Sequence, residues 1–380
     1  MTTRLSGNDF AVQLIMQDGM FLRRFLQRVI ARPELTILPV FCLYNYMCLI
    51  LHESQRALGR IAPDLATSLA YDHAETIARA RHSVKLYDDK AKEPAELSAE
   101  FRRIIEQHRQ EFLNNTWLPL ARPLETDLGL WRFRGRLVST SHTVSFFLGF
   151  PPERFEAEVL GARLRTVAAE IGRYVRAISG GLPWEGPSCL DTVRKSDLRM
   201  QDVRAKRHYR GSFDPSLPEE VKAFLTAMTC ALNTLDVLLS EEAEHSAISL
   251  WKLRYITLHH VFSSLAKLDE EYGAGLRTPD RSVLREILDA PMTGLILQAH
   301  SGFRNTLVHY VPPRNVHEQL FLHKPFYGLL DAYFPDVDAR LLYEGLADHT
   351  SHVASILDAW SRSRIPRRCE ARSRSPRTAG

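Results

Sequence analysis

Three side chains in the last third of the chain have the types and spacing for proton and phosphate chemistry. Arg304, Asn305 and His309 stand together in the segment Arg304-Asn305-Thr306-Leu307-Val308-His309. Arg304 is permanently cationic and forks its donors, which suits a phosphate or a developing phosphorane oxyanion. His309 is the side-chain type that exchanges protons near neutral pH. At the C-terminal end of a helix it would also feel a dipole that favours its protonated form. Asn305 and His309 are four apart and share a helix face. Arg304 and His309 are five apart, about 140° around an ideal helix, so one copy makes a loose site. Two copies about a two-fold axis would bring both arginines and both histidines to one seam, which predicts a homodimer.

This segment is the RNxxxH form of an Rx4–6H motif and resembles that of the HEPN superfamily (higher eukaryotes and prokaryotes nucleotide-binding). The resemblance covers at most residues 217–361, and its sharp part is the RNTLVH segment. It implies a helical bundle acting as a metal-independent endoribonuclease with no cofactor and RNA as substrate. The RNA 2′-hydroxyl would attack the adjacent phosphate, with His309 as acid/base, Arg304 as phosphate clamp and Asn305 as the orienting residue. A toxin or antiviral role, with an antitoxin or activator protein as partner, is implied by the resemblance alone. Many superfamily members are non-catalytic, so a helical module that binds nucleic acid or protein is the alternative. Some members carry Tyr two positions after the His; here Tyr310 follows at once and Val311 takes that place.

Other residues invite other chemistry. Arg194, Lys195, Arg199, Arg204, Lys206, Arg207 and Arg210 crowd one segment against Asp197 and Asp202. Such a cluster could grip RNA phosphates while Tyr209 stacks on a base. Lys252 and Arg254 are expected near the bundle surface, beside a core stripe of Trp251 and Tyr255. Glu242 and His245 form an ExxH of the kind di-iron bundles use, which defines a third reading, a metal-dependent helical-bundle oxidoreductase. His349 and His352, with Asp348, could hold one metal from a single helix face. No second ExxH accompanies the first, so structural histidines are the expectation and no metal site is assigned. HExxH, P-loop, GxGxxG and GxSxG patterns are absent from the sequence.

The elements that must position these residues read almost entirely as helix. Apolar residues recur at three- and four-residue spacing from Asp9 to Ala31, and further helices are expected at about 34–60, 63–90, 95–117 and 152–179. Residues 130–150 break the pattern and suggest one or two short strands. Residues 182–216 read as a basic linker or long loop. Helices resume at roughly 218–240, 244–271, 281–310, 316–334 and 337–361, with Pro312-Pro313 ending the one that carries the motif. The expected fold is all-α, with an N-terminal helical domain over 1–181, the linker, a HEPN-like bundle over 217–361 and a tail from 362.

Composition narrows the classes. Seven arginines and one glutamate lie in residues 361–380. Removing them from the chain's 49 basic and 45 acidic side chains leaves 42 against 44, so the body is near neutral and the Arg/Ser tail is expected to be disordered. Five scattered cysteines without a CxxC pair fit reduced thiols in a cytoplasm and exclude a zinc ribbon or iron–sulfur cluster. The opening residues carry no basic-then-apolar export pattern. The uncharged run Leu35–Leu51 contains Pro39 and Asn45 and reads as a buried core helix, so no membrane is expected.

Overall fold

The computed structural model describes residues 3–35, 38–85, 94–149, 157–180, 188–239, 247–299 and 301–362. It is an all-α fold with one small sheet. Helix α1 (Gly7–Ala31) begins at a capping box, where the Ser6 hydroxyl accepts from the Asp9 amide and the Asp9 carboxylate accepts from the Ser6 amide. Its periodic Phe10, Leu14, Phe21 and Phe25 are fully buried. Helix α2 (Leu38–Ile61) contains most of the uncharged run and is buried along most of its length, as expected of a core helix.

Helices α3 (Pro63–Ser68) and α4 (Ala74–Ser83) divide the stretch expected as one helix, and α4 lies on α2. Helix α5 (Pro94–Phe112) follows. Strands β1 (Leu128–Phe133) and β2 (Arg136–Thr140) form a hairpin whose two-residue turn, Arg134-Gly135, takes positive φ at both positions (47° and 82°). Helices α6 (Ser141–Phe147) and α7 (Ala157–Ile178) complete the first half.

The basic segment is not a plain linker. It supplies β3 (Leu198–Val203), which pairs antiparallel with β1 and gives the sheet the order β2-β1-β3, and then the short helix α8 (Ala205–Arg210). The sequence hid β3 because its four middle side chains are exposed, and only Leu198 and Val203 at its two ends pack against the core.

In the second half come α9 (Glu219–Asn233), continued by a π turn, α10 (Ala247–Tyr272) and α11 (Thr278–Leu288). Residues Glu219–Leu238 are long and apolar enough to cross a membrane, but 89% of that window is buried inside the molecule. The single helix expected up to the double proline is instead two, α12 (Pro291–Gln298) and α13 (Ser301–His309). Ala299 between them is extended, with ψ of 138°. Helix α12 packs on α10, and beyond the break α13 packs on both α10 and α2. The stretch expected as one helix over 316–334 instead holds two 3-10 turns and the short helix α14 (Leu329–Tyr333); α15 (Ala339–Ser361) closes the fold.

One buried apolar cluster runs from Leu5 to Trp360. Helix α1 packs on α10, α5 on α9, and α2 on α13. The segments expected as an N-terminal domain and a C-terminal bundle therefore share a core. The tail beyond residue 362 lies outside the described residues.

Candidate functional site

Phe303 and Leu307 are fully buried and fix one face of α13 to the core. That orientation leaves Arg304, Asn305 and His309 on one cavity of about 370 Å³. The Arg304 guanidinium donates to the Asn305 side-chain oxygen Oδ1 at 3.4 Å. The cavity is not made by α13 alone. Helix α2 contributes His52 and Arg56, the end of α4 contributes Arg81, His82 and the following Lys85, and α10 contributes His260. Its lining carries four permanent cations and four histidines and, among the described residues, no carboxylate. Such a lining attracts anions.

One carboxylate lies immediately behind it. Glu53, on α2, is 1% exposed, and its Oε2 stands 2.6 Å from His309 Nδ1. Its Oε1 pairs with the Arg81 guanidinium, which is also buried. Burial opposes the charge on Glu53, but the His309 hydrogen bond and Arg81 outweigh it and hold the carboxyl at about 2. The His309 side chain, 37% exposed, keeps its other edge toward the cavity. Burial lowers the proton affinity of His52, the cations Arg81 and Arg56 push the same way, and Glu53 only partly offsets them.

Tyr310 ends α13 in the left-handed region (φ 65°) and buries its ring completely. Its hydroxyl donates to Asp18 Oδ2 at 2.7 Å, and Lys252 Nζ lies 2.5 Å from the same oxygen and 3.9 Å from the ring centre. Lys252 was expected near the surface. It is buried because Asp18, projecting from α1, supplies a counter-charge that sequence proximity could not show. Arg254 is likewise mostly enclosed. Trp251 and Tyr255 form the expected core stripe, their rings stacked at 5.5 Å.

The basic cluster stands apart. None of Arg194, Lys195, Arg204, Lys206, Arg207, Tyr209 and Arg210 lines this cavity. Tyr209 does not stack on a base as it lies: it is 1% exposed, with its hydroxyl 3.0 Å from His142 Nδ1. On the one-turn helix α8, Ala205 and Tyr209 share the inward face, and Lys206, Arg207 and Arg210 remain exposed. Arg204 is spent on structure, donating to the carbonyls of Arg122 and Glu125.

The histidine-based metal arrangement is not assembled. His349 Nε2 lies 3.2 Å from the Thr293 hydroxyl, and His352 faces Glu286 at 3.9 Å. Among the described residues no group of three or more His, Cys, Asp or Glu is placed to hold a metal ion. Glu242 and His245 lie outside the described residues.

The Arg304–His309 segment was legible from its spacing; Glu53, Arg56, Arg81 and Lys85 were not. They lie over 200 residues away and carry no motif. The ion pair on the otherwise apolar face of α2 is visible only once α4 and α13 are packed against it. No family model, curated protein or solved structure matches the chain, so the likeness to the HEPN superfamily rests on the RNTLVH segment.

Proposed function

We propose that the protein is a metal-independent endoribonuclease of HEPN type, with Arg304, Asn305 and His309 as its working residues. The observation that carries this reading is a single anion-attracting cavity lined by all three, with His309 backed by a buried carboxylate. A phosphodiester in the cavity meets a cationic lining, and Arg304 stabilises charge that grows on the phosphoryl oxygens. His309 removes the proton of the attacking 2′-hydroxyl or returns one to the leaving 5′-oxygen, and Asn305 keeps Arg304 in place. The homodimer expected from the motif is not needed to gather cations around His309, since α2 and α4 of the same chain bring Arg56, Arg81 and Lys85. A toxin or antiviral role follows from the resemblance and is part of the same proposal.

The test is cleavage of bulk RNA by purified protein in EDTA. Wild type should cleave, and His309→Ala should lose about 10²-fold or more of the rate. Arg304→Ala should lose a comparable factor. Inactive wild type would remove the ribonuclease reading, and RNA binding without cleavage would assign the non-catalytic module. Growth arrest on expression of wild type, but not His309→Ala, tests the toxin role.

A further inference from the structure

The carboxylate behind His309 is unlike the other charged groups around the cavity. It is enclosed, it lies behind the lining, and each of its oxygens meets a different lining residue on a different helix. An ionised carboxylate can only accept hydrogen bonds, so the 2.6 Å contact requires the proton on His309 Nδ1. The remaining nitrogen, Nε2, is then the one left for chemistry in the cavity. We propose that Glu53, anchored by Arg81, is the positioning residue of this site: it fixes the tautomer and ring orientation of His309 and so leaves Nε2 as the proton acceptor in the cavity. This rests on the ribonuclease reading for its purpose, but not for its physics.

The other charged groups that share the cavity with His309 are cations, which donate and cannot accept: Arg304 from α13, Arg56 from α2, and Arg81 and Lys85 from α4 and its end. Lys252 from α10 is paired with Asp18 from α1. Glu53 is the carboxylate in contact with His309, and without it none of these groups would hold the proton on Nδ1.

A consequence is that the site spans the chain. Residues 53 and 81 belong to the half that carries no motif, and α13 alone would present a histidine of unspecified tautomer. The arrangement matches the logic by which an acid orients a catalytic imidazole without itself changing protonation.

The experiment is ¹⁵N-histidine NMR titration of the full chain, with His309→Ala assigning the resonance. In wild type the neutral form should be the Nδ1–H tautomer. Glu53→Gln keeps an acceptor for the Nδ1 proton, so the tautomer should be retained. Glu53→Leu/Arg81→Leu removes the pair together, avoids a buried orphan charge, and should return His309 to the Nε2–H form that free histidine favours. Its use keeps the test open if Glu53→Gln does not fold. An Nε2–H ring in the wild type, or an unchanged tautomer in the folded double variant, overturns the proposal. Where wild type cleaves RNA, the rate should fall in the double variant together with the loss of the Nδ1–H tautomer. A changed tautomer in the double variant of a protein that cleaves no RNA upholds this coupling and removes only the ribonuclease reading; cleavage with an unchanged tautomer does the reverse.

Discussion

Next to His309, the burial of Tyr310 decides two properties of the site. A non-glycine residue in the left-handed region costs about 1 kcal/mol, and here the strain is held by a buried ring and the bond to Asp18. The hydroxyl has no path to solvent, so it cannot be modified while the fold is intact. Asp18 and Lys252 form a fully enclosed ion pair, and removing one partner of such a pair strands the other. Lys252→Met should therefore cost about 3–5 kcal/mol in urea unfolding. Asp18→Asn/Lys252→Met, which leaves no net charge behind, should recover most of it. Equal stabilities of the wild type and the Lys252→Met variant would show that the pair is not buried as described.

At the scale of elements, the placement of α13 matters more than its sequence. Phe303 meets Tyr255 and Phe334 edge-on, at 4.8 and 5.0 Å between ring centres, and also touches Trp251 and Tyr333. These contacts set the rotation of the helix and so the direction of Arg304 and His309. Phe303→Ala should cost about 3–5 kcal/mol through the cavity it leaves. If the ribonuclease reading holds, cleavage should weaken in the same variant at temperatures where it remains folded, since a displacement of about 1 Å in a positioned group is costly to the rate. Preserved stability on truncation would contradict this packing. The helix periods were legible in the residues, as for α1, α5 and α15. The break at Ala299 was not, because no proline marks it and the α2 surface that α13 packs on lies far away in the chain.

For the molecule as a whole, several histidines are held neutral by the fold. Burial, with help from Arg132, pushes His208 down to about 4, and burial beside His352 does the same to His349. Burial also lowers His108, and His142 well below the usual range. Below pH 6.5 the unfolded chain takes up protons that the native state refuses, so stability falls as the pH drops from about 6.5 toward 4. His349 should account for about 1–2 kcal/mol of that loss at pH 5. Urea midpoints at pH 7.5 and pH 5 measure it, and His349→Gln should flatten the difference. Glu53 and Glu125, both held at about 2, lose their stabilisation only at more acid pH, below the ordinary glutamate range. A midpoint independent of pH over this window would mean that these rings are solvated.

Periodicity, proline punctuation and the RNTLVH spacing determined the helical class, most helix positions and three residues of the candidate site, because each is a relation among residues near in the chain. The shared core, the third strand, the burial of Tyr209 and Lys252, and the cluster of Glu53, Arg81 and His309 were decided only by tertiary packing. Their partners are separated by tens to hundreds of residues, and a lone carboxylate or arginine on an amphipathic helix looks the same whether it faces water or another helix's histidine. Local pattern specifies which face of a helix is apolar; what that face meets is a property of the assembled chain.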